Sequence, residues 1–253
     1  MVIHMKIGDY VSRNSYQNDV IFEIVEINDN ALLKGIHKRI IADSPLEDLK
    51  LVSAKEIEEE EKSFHNHLFR NKRNRNFISG KILHIDGDQT YLEKCLNFYK
   101  MVGCHANGAF MDESKMSENI IKLIERYNPD IIVITGHDSY NKKGIKDINN
   151  YRNSQNFINT VNEIRKRYSR DDKFIIAGAC QSHFEALIAA GANFAMSPKR
   201  VNVHLFDPAI IAIKASFTPF NEKVSLNEIL KFSYIKKDGI GGIESYGKMR
   251  ILL

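Results

Sequence analysis

The 253-residue chain has no tryptophan, three cysteines, five prolines and no apolar run approaching a membrane span. Crossing a bilayer as a helix takes about 20 predominantly apolar residues. The odd, sparse set of thiols (Cys95, Cys104, Cys180) does not fit a disulfide framework and suits a reducing compartment. The opening stretch, MVIHMKIGDYV, lacks the apolar segment of a secretory signal, and Met1 and Met5 are alternative starts. A cytoplasmic protein without a membrane partner is therefore expected. Neither sign of charge dominates. Lys and Arg number 36 against 32 Asp and Glu, a net charge of +4 that does not require nucleic acid as a partner. What is present is ordinary for a globular protein: 43% hydrophobic residues suffice for a core of normal size.

Composition divides the chain into three. Residues 1–53 hold short β-branched and aromatic runs (KIGDYVSR, DVIFEIVEI, ALLKGI, KRIIA) separated by turn chemistry such as NDN. That spacing predicts a small SH3-like β-barrel. Residues 54–79 begin acidic and end basic, and RNKRNRN (70–76) has almost no apolar content, which predicts an exposed linker. Residues 80–253 alternate strand and helix: strands at 81–88, 108–113, 130–138 and 173–179, a short strand and loop at 193–200, and helices at 91–103, 117–128, 156–168, 182–192 and 207–217. Ser117 reads as an N-cap, and Pro208 sits in a first turn. Strands as apolar as DIIVIT and KFIIAGA belong to a parallel sheet covered on both faces. The fold class is thus α/β, flavodoxin-like, with a small β domain in front.

In such sheets the ligand site lies beyond the carboxyl ends of the strands. Those ends carry Asp86 and Asp88, then Gly136, His137 and Asp138, then Ala179, Cys180 and Gln181. A free thiol is only a few per cent ionised at neutral pH, so a nucleophilic Cys180 needs a neighbouring base. His137 is the expected base and His183 its competitor. The N-terminus of the helix after Cys180 would favour the thiolate. Backbone N–H groups at Gly136 and Cys180 are candidate oxyanion donors. Candidate substrate contacts are Asp138, Gln181, Ser182, Arg152, the SPKR run (197–200) and Asp207. A carboxylate among Asp138, Asp207 and Glu185 would suit a basic side chain before the cut. That preference would make residues 69–77 a site of self-cleavage.

The Gly136-His137 and Ala179-Cys180-Gln181 pairs resemble the local pattern of caspase-like cysteine peptidases, although Ser182 stands where that pattern has glycine. Longer runs are similar to the YabG family of sporulation-specific peptidases: LHIDGD, PDIIVITGHDSYNKKG, NYRNSQNF, AGACQSHFEALIAAGANFAMSPKRVNVH and GIGGIESYGKMR. The resemblance covers nearly the whole chain. It implies a caspase-like peptidase domain in a mother-cell cysteine endopeptidase that processes spore-coat and other sporulation proteins. His137 and Cys180 fall on the family's proposed dyad, and no cofactor or metal is implied.

Bland readings stand beside these. Cys95 lies on an apolar helix face and reads as core, and Cys104 reads as structural. Cys180-x-x-His183 with Cys104-His105 would make a zinc site only if the fold joined them. Asp86 and Asp88 read either as turn and cap residues or as ligands for Mg²⁺ in phosphoryl transfer. A non-enzymatic nucleic-acid or coat-binding module, using the β domain and basic linker, is the remaining alternative.

Overall fold

Val11, Val20, Phe22, Ile24, Ala31, Leu33 and Leu49 form one buried cluster, the core of a five-stranded antiparallel sheet. Its strands are β1 (Tyr10–Arg13), β2 (Phe22–Ile27), β3 (Ala31–Gly35), β4 (Ile41–Ser44) and β5 (Leu49–Leu51), in the order β4-β3-β2-β1-β5. The turn at Asn28–Asn30 joins β2 to β3, and a bulge between Ile24 and Glu26 shifts their register. The computed structural model describes residues 5–53, 55–57, 77–234 and 236–252. The chain splits into two units, residues 1–71 and 72–253. The basic run 70–76, and the expected self-cleavage stretch up to Asn76, lie outside the described residues, as does Met1.

The second unit is built on a six-stranded sheet. Its strands are β7 (Ile82–Asp86), β8 (Ala106–Phe110), β9 (Ile131–Thr135), β10 (Phe174–Ala177), β11 (Phe194–Met196) and β12 (Ile240–Gly242). Spatial order is β12-β11-β10-β9-β7-β8; β12 alone runs antiparallel to its neighbour. A two-stranded ribbon pairs β6 (Phe77–Ile78) with β13 (Arg250–Ile251). The helices are α1 (Gln89–Met101), α2 (Met116–Tyr127), α3 (Ser154–Arg165), α4 (Phe184–Ala190), α5 (Asp207–Phe217) and α6 (Leu226–Phe232). Among the described residues no helix is long and apolar enough to cross a membrane.

Strand alternation sorts the side chains between two faces. Leu83, Ile85, Ile132, Ile134, Ile175 and Ala177 pack with Met116, Ile120 and Ile124 of α2, Phe157, Val161 and Ile164 of α3, and Leu187 of α4. The residues between them, His84, Asp86, Val133, Thr135 and Ile176, are fully buried too. The sheet is therefore mostly parallel and covered on both faces, which is why a strand such as β10 reads as an unbroken apolar run. From β7 the chain passes to β8 on one side, then returns to β9 on the other. The switch point lies between β7 and β9.

Two local expectations change. Ser117 is not the N-cap of α2. Asp112 caps a preceding 3-10 turn by accepting the Ser114 N–H at 2.9 Å, and that turn runs directly into the helix at Met116. The helix after Cys180 begins at Phe184 rather than at 182, with His183 as its cap. Strand β12, helix α6 and the β6–β13 ribbon carry no strong periodic signal; β12 is Ile-Gly-Gly.

Candidate active site

A row of three residues, Ile85, Ile134 and Ala177, crosses β7, β9 and β10 in register. Asp88, His137 and Cys180 each follow their member of that row by three residues. The parallel sheet thus delivers a carboxylate, an imidazole and a thiol to one rim, beside the switch point.

His137 is held at three places. Its ring Nε2 lies 2.9 Å from Asp88 Oδ2. Its backbone N–H donates to Glu113 Oε1 at 2.7 Å, and its carbonyl accepts from Asn153 Nδ2 at 2.8 Å. Tyr91, almost fully buried, sets its ring 5.7 Å from the imidazole, centroid to centroid. Nδ1 of His137 has no hydrogen-bond partner among the described residues. The Glu113 carboxylate can lie there only because residue 136 is glycine: a Cβ would stand 2.3 Å from Oε1 and 2.9 Å from Cδ. Gly136→Ala is expected to push Glu113 off the His137 N–H. The accompanying strain costs about 1–3 kcal/mol, and proteolysis falls by about 10- to 100-fold through misplacement of the ring. Thermal melting and a protein-digestion assay on the same preparation check both effects.

Cys180 sits on a turn and is 2% exposed. Gly178 precedes it at φ +104°, a region open to glycine, and Gln181 follows in the left-handed region at φ +57°. Gln181 is tied down from three directions. Its N–H donates to Val201 O at 3.1 Å, its Oε1 accepts from Tyr140 N at 3.1 Å, and its Nε2 donates to Asn202 Oδ1 at 3.1 Å. The Val203 N–H donates to Cys180 Sγ at 3.2 Å. This corrects the expectation that the following helix serves the thiolate. That helix starts four residues further on, and the backbone donor comes from the 201–205 segment. Cys180 Sγ makes no hydrogen bond to His137 here. Catalytic hydrogen bonds are often long or poorly aligned before substrate binds and tighten in the Michaelis complex.

The other predicted residues divide into buried and exposed. Asp138 lies inside: Oδ1 accepts from Ser139 N (2.9 Å) and Asn153 N (2.8 Å), Oδ2 from Ser154 Oγ (2.5 Å) and Ser182 Oγ (2.8 Å). Burial pushes its carboxyl above the ordinary range, and these four bonds oppose the rise. Ser182 also accepts the Ala179 N–H at 2.9 Å, so this network joins the ends of β9 and β10. His183 accepts the Ala186 N–H through Nδ1 at 3.4 Å and caps α4, with its ring 4.8 Å from that of Tyr151. Glu185 pairs with Arg200 of the SPKR run at 2.5 Å. Arg152 is exposed.

Asp207 is fully buried at the start of α5 and accepts from Tyr234 N and His204 N at 3.1 and 3.3 Å. Burial pushes its carboxyl up to about 6 from 3.8. The native chain then holds a proton that the unfolded chain releases near 3.8. The stabilising contribution is fully present below that value and is lost as pH rises through about 6. Asp207→Asn is expected to flatten stability between pH 4 and 6, measured by urea unfolding across that range.

Asp86 accepts the Thr135 hydroxyl and the Asp88 N–H, each at 2.9 Å; Asp88 Oδ1 accepts the Tyr91 N–H at 3.1 Å and caps α1. Among the described residues no cluster of three His, Cys, Asp or Glu is placed to hold a metal ion. Cys104 precedes β8 at the amino edge of the sheet, away from the carboxyl rim that carries Cys180 and His183. Its thiol is pushed up to about 12 by burial, against a hydrogen bond with Ser216. Cys95 donates to Leu205 O at 3.5 Å from the buried face of α1.

Comparison with known proteins decides the family. The family described as YabG peptidase U57 matches residues 6–76 and 67–253. The Sporulation-specific protease YabG of Bacillus subtilis (strain 168) is 42% identical over 283 residues, with 98% of each chain covered. The chain belongs to the YabG peptidase family. The YabG match runs over both units from residue 6 onward and includes the row of Asp88, His137 and Cys180. A thiol, an imidazole and a carboxylate on one rim are the groups that nucleophilic acyl transfer uses. Asp88, Tyr91, Glu113 and Asn153 surround His137, and the sequence alone assigns none of them to it.

Proposed function

We propose that the chain is a cysteine endopeptidase acting on spore-coat and other sporulation proteins in the mother-cell cytoplasm. It cuts after Arg or Lys, and its second unit is a caspase-like domain behind an SH3-like one. The observation that carries the reading is the placement of His137 and Cys180, each three residues beyond a paired position on neighbouring parallel strands. The 42% identity to a sporulation-specific protease supports the setting.

In this reading the Cys180 thiolate attacks the scissile carbonyl, and the thiol proton passes to His137. The Val203 N–H stabilises the sulfur before attack. Backbone N–H groups at Gly136 and Cys180 receive the oxyanion. His137 then gives its proton to the leaving amine, and a water, activated by the same ring, releases the thioester. Self-cleavage within residues 69–77 follows from the basic preference.

The test is digestion of a Lys- and Arg-rich protein with mass-spectrometric reading of the new termini. New ends after Arg or Lys, lost on treatment with iodoacetamide and unaffected by EDTA, are expected. Cutting that survives alkylation and stops with EDTA would refute the cysteine mechanism. Wild type and Cys180→Ala, incubated alone, report on self-cleavage. Equal cutting of both within 69–77 would refute it.

A further inference from the structure

Asp88 caps helix α1, which is the whole of its role in a structural reading. The geometry gives it more. One carboxylate oxygen, Oδ1, takes the Tyr91 N–H of the cap; the other, Oδ2, faces His137 Nε2 at 2.9 Å. We infer that Asp88 is the positioning residue of the site, fixing the tautomer and orientation of His137 so that Nδ1 is the atom that exchanges protons with Cys180. This rests on the cysteine-peptidase reading above.

An ionised carboxylate is an acceptor only, so Nε2 carries the hydrogen and Nδ1 presents its lone pair. The Sγ–H bond of Cys180 breaks, its proton bonds to Nδ1, and the resulting imidazolium stays paired with Asp88. When the C–N bond of the substrate breaks, the Nδ1 proton passes to the leaving amine and the neutral ring returns. Nε2 keeps its hydrogen throughout, and Asp88 takes up no proton.

A buried chain of hydrogen bonds fixes Asp88 in turn. The Asp88 N–H donates to Asp86 Oδ1, and the Thr135 hydroxyl donates to Asp86 Oδ2, each at 2.9 Å. Because Thr135 spends its hydrogen on Asp86, His84 Nε2 must donate to Thr135 Oγ1, 2.9 Å away. His84 Nδ1 is then left to accept the Tyr99 hydroxyl at 2.9 Å. His84, Asp86, Tyr99 and Thr135 are all fully buried. A polar chain of this length is far more than a helix cap needs. It spans α1, β7 and β9 and ends at the imidazole.

Asparagine separates the two roles. It caps helices as well as aspartate does, but its amide cannot hold the imidazolium and can turn a donor toward Nε2. Full-length wild type, Asp88→Asn, Asp88→Ser and Cys180→Ala are compared on fluorescein-labelled casein, with thermal melting of each. For Asp88→Asn and Asp88→Ser the expected result is a fall in kcat of about 100-fold or more, as when a triad aspartate is replaced. KM is expected within about twofold of wild type and melting within about 3 °C, because the cap is kept. Activity of either variant within threefold of wild type, with Cys180→Ala inert, would overturn the inference and leave the peptidase reading standing. Full activity in Cys180→Ala would instead overturn the cysteine reading, and this inference with it.

Discussion

Cys180→Ala is expected to lower proteolysis by at least about 1000-fold while leaving the fold in place. The thiol is 2% exposed, and its backbone neighbours are held by bonds that do not involve sulfur: Gln181 N to Val201 O and Ala179 N to Ser182 Oγ. Loss of one buried sulfur costs about 1 kcal/mol, a shift of roughly 2–4 °C in melting for a chain of this size. His137→Ala is expected to cost activity similarly. The informative variant is the double one. Two groups that share a proton act as a unit, so removing both should cost no more than removing either. Rates and melting temperatures for the four proteins close the cycle. Additive losses would mean that the two residues work separately.

Asp138→Ala is expected to have the largest effect on stability. The substitution removes four hydrogen bonds and strands two backbone N–H groups and two hydroxyls in a buried site. An unsatisfied buried donor costs about 1–3 kcal/mol, and partial relaxation brings the total to about 3–5 kcal/mol. Melting should fall by roughly 10 °C or more. Because Ser182 also holds the Ala179 N–H, the Cys180 turn loosens and activity falls with stability. Asp138→Asn keeps one acceptor, and the serine hydroxyls can rotate to meet its amide, so its loss should be far smaller. Burial raises the Asp138 carboxyl, so its stabilising share, like that of Asp207, is greatest at low pH and declines as pH rises through the folded-state value. Urea unfolding of the three proteins at pH 5 and 7 checks the order and the sign.

Much of the scaffold is legible in residues 81–217 because buried parallel strands announce themselves. Ile131–Ile134 and Phe174–Ala177 are unbroken apolar runs, and the strands that contain them, Ile131–Thr135 and Phe174–Ala177, have no exposed residue. Their ends name His137 and Cys180. The partners of His137 are harder to read. Asp-Gly-Asp before a helix is cap chemistry, and Asp88 is a cap, so nothing local signals its second bond. Only the register of β7 on β9 brings Asp88 level with His137, and register is a tertiary property. Glu113 follows β8 by three residues and reaches past Gly87 and Gly136, which lie against its carboxylate. Asp138 and Asp207 read as polar residues on a rim. Their burial depends on donors from 153–154, 182, 204 and 234, distant in sequence. Strand β12 goes unread because two of its three residues are glycines, which carry no strand preference.

The most direct test of the shared proton is covalent capture by a peptidyl chloromethyl ketone with Lys or Arg next to the reactive group. Wild type, Cys180→Ala and His137→Ala are followed by intact mass and peptide mapping. The expected result is one adduct per wild-type chain, located on Cys180, absent from Cys180→Ala and formed about 100-fold more slowly without His137. An adduct on Cys95, Cys104 or His183 instead, or an unchanged rate of Cys180 modification in His137→Ala, would contradict the account.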